Sequence, residues 1–415
     1  MGPRLSSFRA LSSLGHGVND LYFFVLPLVL PLLLKEYRLS YRMAGLVLAS
    51  YLGIVAVASY FFGRSSDRFS PWILIGGGFL LASTGFLGAG LSPARAGVFS
   101  SLAAAAVGVG TFHPVIYALI ARLVPERQGR ALGSFEIWGV LSILVMYLAG
   151  GFLLSRLGWR GVLAAIGVPG LAMGTLFLRP AAVSRTNSAV AAAGARAAQA
   201  GPAAPAKPPA APLQRPSAPP EPATAASGWG GLVFFLGANA LRFLTTTAVS
   251  SFLPTYLAMG RQLPPSLAAY VSGFLFAGGA AVVLWGAVTD RGPPLAVLLL
   301  ASGTLAPLVF VFSLPLPLWA VLLVLFLFGV LNAGCGPAQN LVLSALGSRF
   351  GSGAVFGLLL SVIALIGALS PALFGLLADH LGLESAMRLF ALPALAGWLM
   401  LLAFRRTAWG LSLRR

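Results

Sequence analysis

The sequence predicts an all-α membrane protein of twelve transmembrane helices, arranged as two pseudo-symmetric bundles of six. Three observations predict it. Of its 415 residues, 58% are hydrophobic and only 9% are charged, where a soluble domain carries about 25% charged residues. The apolar residues gather into runs of the length that crosses a bilayer as a helix, about 20 residues. These runs fall into two groups of six, separated by a stretch almost free of large apolar side chains.

The first group lies near 10–34, 42–62, 72–91, 96–120, 131–154 and 160–178. The second lies near 229–258, 266–288, 294–313, 317–341, 354–377 and 385–404. The expected organisation is therefore an N-terminal six-helix bundle (1–179), a linker (180–228) and a C-terminal six-helix bundle (229–415). The linker contains AAPAKPPAAPLQRPSAPPEPATAAS. That Ala/Pro-rich composition buries too little surface to fold, so the segment reads as disordered. The opening MGPRLSSFRA and its apolar run resemble a signal peptide only superficially. The run is too long for an h-region and no small-residue cleavage site follows, which predicts a retained first helix.

The formal net charge is +18, yet the basic residues sit in short loops and form no basic domain. Nucleic acid is therefore not an expected partner; the bilayer is. Lys and Arg concentrate on the side of the N-terminus, at Arg4, Arg9, Arg64, Arg68, Arg122, Arg127, Arg130 and the linker. The positive-inside rule then places both termini and the linker in the cytoplasm, in a cell (inner) membrane. The single cysteine, Cys335, permits no intrachain disulfide, and no metal-ligating motif is present. No metal and no cofactor are expected, and the chain is read as a monomer.

The two groups are related. YRMAGLVLASYLGIVAVASYFFGRSSDR (41–68) aligns without gaps on PPSLAAYVSGFLFAGGAAVVLWGAVTDR (264–291), an offset of 223. This superposes Gly63-x-x-x-Asp67-Arg68 on Gly286-x-x-x-Asp290-Arg291. Pro114 meets Pro337 at the same offset. At an offset of 224, Gly133, Gly151 and Leu157-Gly158 meet Gly357, Gly375 and Leu381-Gly382. A run of matches at nearly constant offset indicates a duplicated six-helix unit, and transporters bind their substrates at the interface of such repeats.

Twelve spans as six plus six, a central linker and a doubled G-x-x-x-D-R resemble the major facilitator superfamily. GHGVNDLYFFVLPLVLPLL in the first span and FHPVIYALIARLVPERQGRALGSF in spans 4–5 look more specifically like its fosmidomycin-resistance-type branch. The resemblance implies a cytoplasmic gate at the doubled loop, formed by Gly63, Asp67, Arg68, Gly286, Asp290 and Arg291, with Arg130 and Arg349 as further partners. An Asp at the membrane surface can cap a helix N-terminus and pair with a nearby Arg. Two patterns of the family's antiporters are absent: Ala104 stands where they carry an Arg, and span 5 has no proline motif.

The deep polar residues fall mainly in the first and fourth spans of each unit. His16 and Asp20 share a helix face at i,i+4, with Asn19 beside them. His113 lies in span 4, Asn239 and Arg242 in span 7, Asn332 and Gln339 in span 10. In the resembled fold these four helices line the central cavity. Asp20 and His16 read as a titratable pair for proton coupling, with Glu136, about five residues into span 5 near the cytoplasmic face, as a further candidate. Asn19, His113, Asn239, Arg242, Asn332 and Gln339 read as substrate contacts. A structural lock, His16–Asp20 or Asp20–Arg242, is the competing reading.

No H-E-x-x-H, G-x-S-x-G or phosphate-binding glycine loop occurs, so an enzyme is not expected. The favoured function is secondary active transport, by proton-coupled export of a small organic or drug-like molecule. The alternative within transport is an anionic metabolite such as a carboxylate, suggested by Arg242 and the absent antiporter patterns. The alternative from another class is a non-transporting receptor or assembly component.

Overall fold

Lipid offers a backbone no hydrogen-bond partner, so an apolar span must satisfy its own amides, and a helix does so within one segment. The structure, a computed structural model, describes residues 3–66, 68–123, 128–179, 225–350 and 352–406. The N-terminal half contains α1 (Pro3–Tyr37), α2 (Tyr41–Ser65), α3 (Pro71–Leu91), α4 (Arg95–Val109), α5 (Phe112–Leu123) and α6 (Gln128–Leu178). The C-terminal half opens with α7 (Ala225–Thr255), whose last turn becomes a π-helix at Tyr256–Gly260. There follow α8 (Pro265–Gly279), α9 (Val282–Arg291), α10 (Pro294–Gly303), α11 (Leu305–Phe312), α12 (Leu318–Phe350), α13 (Ser352–Leu381), α14 (Leu383–Leu389) and α15 (Ala391–Phe404).

Among the described residues, 11 helical stretches are long and apolar enough to cross a membrane. Several expected single spans are broken by short kinks. Gly110 and Thr111 separate α4 from α5, Ala280 and Ala281 separate α8 from α9, and Thr304 separates α10 from α11. Pro254 sits just before the π-turn, since a proline leaves an i−4 carbonyl without its donor. Pro27 and Pro31 lie inside an α1 that stays helical throughout. The expected linker lies outside the described residues, except that helix already begins at Ala225, short of the expected boundary.

The 51 residues of α6 would extend about 76 Å if straight, well over twice the hydrocarbon thickness. The packing shows that α6 turns back. Phe8 meets Trp72 and Tyr22 meets Ser83, so α1 and α3 run in the same direction. Residues Phe135, Ser142 and Gly150 meet His16, Gly17 and Leu28 in turn, so the first limb of α6 also runs with α1. In the second limb, Arg160 and Ala164 lie against Gly90, Gly167 against Leu87, and Gly174 and Leu178 against Gly76. That limb runs against α3. The reversal occurs at Gly158, with φ 65° and ψ −176°, a conformation open essentially to glycine alone.

The backbone also carries the internal repeat. Among the described residues four have positive φ: Arg38, Gly158, Gln262 and Gly382. They form two pairs, 38 with 262 and 158 with 382, each separated by 224 positions. Two equivalent turns in each half thus adopt the same unusual conformation at the spacing of the sequence matches.

The corner at Gly158 is tied to the end of α1. Trp159 Nε1–H donates to Glu36 at 2.6 Å, and Arg160 donates to Glu36 at 2.9 Å and to the Tyr37 hydroxyl at 3.1 Å. Arg160 also bonds the Ser92 carbonyl at the end of α3. In the second half Arg261 donates to the carbonyls of Phe312, Leu314 and Leu316.

The two halves are joined at the end of the molecule away from the chain termini. There α2 packs on α13 with no side chain between backbones: Gly45 lies against the Pro371 carbonyl and Gly375 against that of Tyr41. Gly151 of α6 likewise faces Ser266 and Tyr270 of α8. Tyr147 stacks on Phe276 with centroids 4.8 Å apart, and Phe24 meets the same ring edge-on at 5.1 Å. At the opposite end Tyr60 and Phe61 of α2 and Val283 and Leu284 of α9 are exposed.

Candidate functional site

A cavity of about 540 Å³ lies between the halves. Its size is that of a small-molecule site. It is lined by α1, α2 and α6 on one side and by α7, α8, α9, α12 and α13 on the other. The wall is mostly apolar, with Phe23, Phe24, Phe243, Phe276 and Phe328. Its polar groups include Tyr51, Asn332 and the hydroxyls of Thr246, Thr247, Ser250 and Ser251.

Two polar networks flank this cavity, one in each half. In the N-terminal network, α1 presents His16, Asn19, Asp20 and Phe23 on one face toward α5 and α6. His16 is 2% exposed. Its ring lies flat on Phe135 at 4.0 Å between centroids and edge-on to His113 at 5.1 Å. His16 Nδ1 is 2.9 Å from the Phe135 carbonyl oxygen. An oxygen of that kind only accepts, so Nδ1 carries the hydrogen.

That bond determines what faces Asp20. His16 Nε2 lies 3.4 Å from Asp20 Oδ2, and His113 Nε2 lies 3.5 Å from Asp20 Oδ1. Asn19 Nδ2 donates to His113 Nδ1 at 3.2 Å, which leaves the His113 hydrogen on Nε2, toward the carboxylate. When His16 is neutral its Nε2 presents a lone pair to a carboxylate oxygen, and the two repel. One proton between His16 and Asp20 converts the repulsion into a charge-assisted bond. Gly139 lets α6 come this close: a Cβ there would meet Asp20 Oδ2 and His16 Cε1.

The fold also gathers a group that sequence spacing did not show. The expectation of no metal site rested on the lack of a motif, yet the ligand atoms of His16, Asp20 and His113 all lie within 4.8 Å of one another. His16 and His113 are 97 positions apart, so only packing of α5 on α1 could reveal the set. Two imidazoles and a carboxylate are chemically able to hold a divalent cation as well as a proton.

The C-terminal network centres on Arg242 of α7, which is 4% exposed. It donates to Gln339 Oε1 at 2.7 Å and to Asn332 Oδ1 at 3.5 Å, both on α12. Its guanidinium lies over the Phe243 ring at 4.2 Å. Among the described residues no carboxylate pairs with it, and its Nε is buried without a partner. The expected alternative of an Asp20–Arg242 lock is therefore not formed; the two charges belong to separate networks. Asn239 turns its amide nitrogen to the Phe235 carbonyl of its own helix at 2.9 Å. It does not join Arg242, because the helical carbonyl one turn back is within reach.

The residues expected to form a gate lie at the end opposite the joined one. Asp67 lies outside the described residues, as do the side chains of Glu136, Arg130 and Arg349. Gly63 packs on the Pro114 ring, and Arg68 is exposed. Asp290 and Arg291 are exposed, and Gly286 faces open space. Among the described residues Asp290 makes no ion pair, and the helix after it, α10, has no side-chain cap. Two of the partners expected for Asp290, Arg130 and Arg349, are among the side chains outside the described residues.

At the joined end stands a residue that sequence reasoning missed. The Asp379 carboxylate accepts from the Tyr41 backbone N–H at 2.6 Å, across the two halves. A signal was present: Gly375-Leu-Leu-Ala-Asp379 repeats the G-x-x-x-D spacing of the loop motif. The aromatic bracket around His16 carried no comparable signal.

Comparison with known proteins agrees with this architecture. A family model, the Major Facilitator Superfamily, matches residues 12–371. A Mycobacterium tuberculosis protein described as an uncharacterized transporter of this superfamily is 34% identical over 158 residues. That match covers 36% of this chain and only 27% of the relative's length. A bacterial homologue of the lysosomal transporter Spinster, in an inward-facing and occupied conformation, superposes with a TM-score of 0.72 at 17% identity. The superposition covers 100% of this chain and 98% of that one. A D-xylose–proton symporter superposes with a TM-score of 0.73 at 15% identity, over 96% of this chain and 98% of that one. A peptide transporter gives 0.70 at 16% identity, over 96% and 94%. At these identities the structures testify to the fold; the family match over most of the chain assigns the class, a membrane transporter and not an enzyme. The chain belongs to the major facilitator superfamily.

Proposed function

We propose that this protein is a proton-coupled secondary transporter that moves a small organic solute by alternating access, in the direction of export from the cytoplasm. In this reading the two limbs of α6 count as separate spans, which makes twelve, six in each half. The termini and the open end face the cytoplasm of the inner membrane, so the conformation described is inward-facing. The positive-inside distribution of Lys and Arg supports that orientation.

The observation that carries the coupling is the arrangement at Asp20. A carboxylate deep in a span faces a histidine whose other nitrogen is committed to a backbone carbonyl, so the His16–Asp20 contact becomes favourable with one proton between them. Intramembrane ionisable groups of this kind mark proton relays. Asp20 is 15% and His113 24% exposed, so both are partly open to solvent, while His16 is buried. Loading the proton neutralises the carboxylate and removes a charge from the path that must close when the halves rock.

The test is uptake into inverted membrane vesicles or proteoliposomes under an imposed pH gradient, with a panel of organic acids, neutral molecules and amines as probes. The expected result is gradient-driven accumulation of at least one class, lost in Asp20→Asn. Gradient-driven accumulation that persists in Asp20→Asn overturns the assignment of the proton to this pair. A second reading, transport of an anionic metabolite, is favoured because among the described residues no carboxylate pairs with Arg242.

A further inference from the structure

We propose that the central cavity takes an organic carboxylate, with its acid group on Arg242 and an apolar, ring-bearing body among the phenyl side chains of the wall. The inference names the solute class of the transport reading and rests on it, but it concerns equilibrium binding and stands apart from the proton at Asp20.

Arg242 sits near the middle of a membrane-spanning helix and remains charged, since a guanidinium does not deprotonate in proteins. Taking such a charge out of water is costly unless an opposite charge compensates it. Among the described residues none does. Its neighbours are neutral: two amide oxygens, one of them at 3.5 Å, and an aromatic face. Nε is buried and unpartnered. The guanidinium is therefore short of one negative charge and at least one acceptor, which is what a carboxylate brings, in a geometry that suits a planar fork of donors.

The position of that missing anion is fixed by the neighbours. Asn332, which accepts from Arg242, and Phe243, which lies beneath it, both line the cavity. Arg242 itself lies behind the lining, so an acid group in the cavity beside Asn332 would approach the guanidinium from the side of that amide. Among the described residues the rest of the wall offers no second cation. Phe23, Phe24, Phe276 and Phe328 suit a flat apolar body, and Thr246 and Ser250 on the Arg242 helix offer hydroxyls to a further polar substituent. The cavity's volume accommodates a solute of drug-like size.

The proton and the acid group would then occupy different halves, Asp20 in the first and Arg242 in the second. They need not compete for one residue, and their coupling would run through closure of the halves around both.

The experiment uses the full chain purified in detergent, without a gradient. Three probes share one body: 4-phenylbutanoate, its primary amide and 4-phenylbutylamine. Binding is read as a concentration-dependent rise in melting temperature and by equilibrium dialysis. The expected result is that the carboxylate binds and the amide and amine bind at least tenfold more weakly. Arg242→Gln should abolish the preference for the acid. If that variant does not fold, Asn332→Leu, which keeps the guanidinium, should weaken the acid severalfold and leave the amide unchanged. Equal binding of acid and amide, no binding of the acid, or unchanged acid affinity in folded Arg242→Gln overturns the proposal. Wild-type acid binding in Asp20→Asn together with persistent pH-driven accumulation would overturn the proton assignment alone.

Discussion

Asp379 and Tyr41 are 338 positions apart and bonded at 2.6 Å, the carboxylate of α13 capping the first amide of α2 in the other half. The N-terminus of α2 also carries Ser40, whose hydroxyl accepts from Met43 N–H at 3.2 Å. The free amides of that first turn and the helix dipole both favour a negative charge at this spot. Because the bond crosses the joined end of the halves, it must break whenever that end opens.

Asp379→Asn should therefore shift the conformational balance toward opening at this end. A surface-exposed charge at a helix N-terminus contributes about 0.3–1 kcal/mol, which corresponds to a population change of roughly two- to fivefold. Labelling of a cysteine placed at Gly273, beside the Tyr147 contact, should speed up by a similar factor. An unchanged labelling rate would show that the Gly45–Pro371 and Gly375–Tyr41 backbone contacts hold the joined end without the carboxylate.

Asp20→Asn and His113→Gln should fail differently. The first removes the group that shares a proton with His16, so pH-driven accumulation should stop while exchange between equal pools continues. The second keeps a donor toward Asp20 and leaves the His16–Asp20 pair intact, so coupling should persist with a shifted pH dependence. Loss of folded protein in Asp20→Asn, recovered in a variant that also neutralises His16, would identify the pair as a structural lock.

Gly139→Ala places a methyl group against Asp20 Oδ2 and His16 Cε1. Overpacking of this kind costs about 1–3 kcal/mol. The expected outcome is a folded protein with a lower melting temperature and impaired pH-driven transport, since α6 must move away from the pair. Gly77, with nothing near its Cα hydrogen, supplies the control: Gly77→Ala should leave both readouts intact.

Gly158→Ala and Gly382→Ala should each destabilise the fold by about 1–3 kcal/mol, the cost of a Cβ in a conformation reserved for glycine. No neighbour crowds either position, so the effect isolates backbone strain. Equal melting temperatures for wild type and both variants would contradict the reversal geometry at these corners.

The sequence by itself determined the membrane class, the places of the apolar helices and the spacing of the repeat. Each of these depends on composition, run length or recurrence along one chain, so each is visible without knowing how helices pack. The Gly158–Gly382 match is the clearest case: aligned at an offset of 224, both residues form the same positive-φ corner. The i,i+4 relation of His16 and Asp20 was legible for the same reason, because helix geometry alone puts them on one face. What the tertiary structure decided is which residues from different helices meet. The rotation and tilt of α1, α5 and α6 bring His113 and the Phe135 carbonyl to the Asp20 pair. The rotation of α7 turns Arg242 to two neutral amides and away from any described carboxylate. The joined end, and with it Asp379, depends on how the halves lean together. Helix rotation is set by close packing of small and large side chains across interfaces, and no local stretch of sequence carries that information.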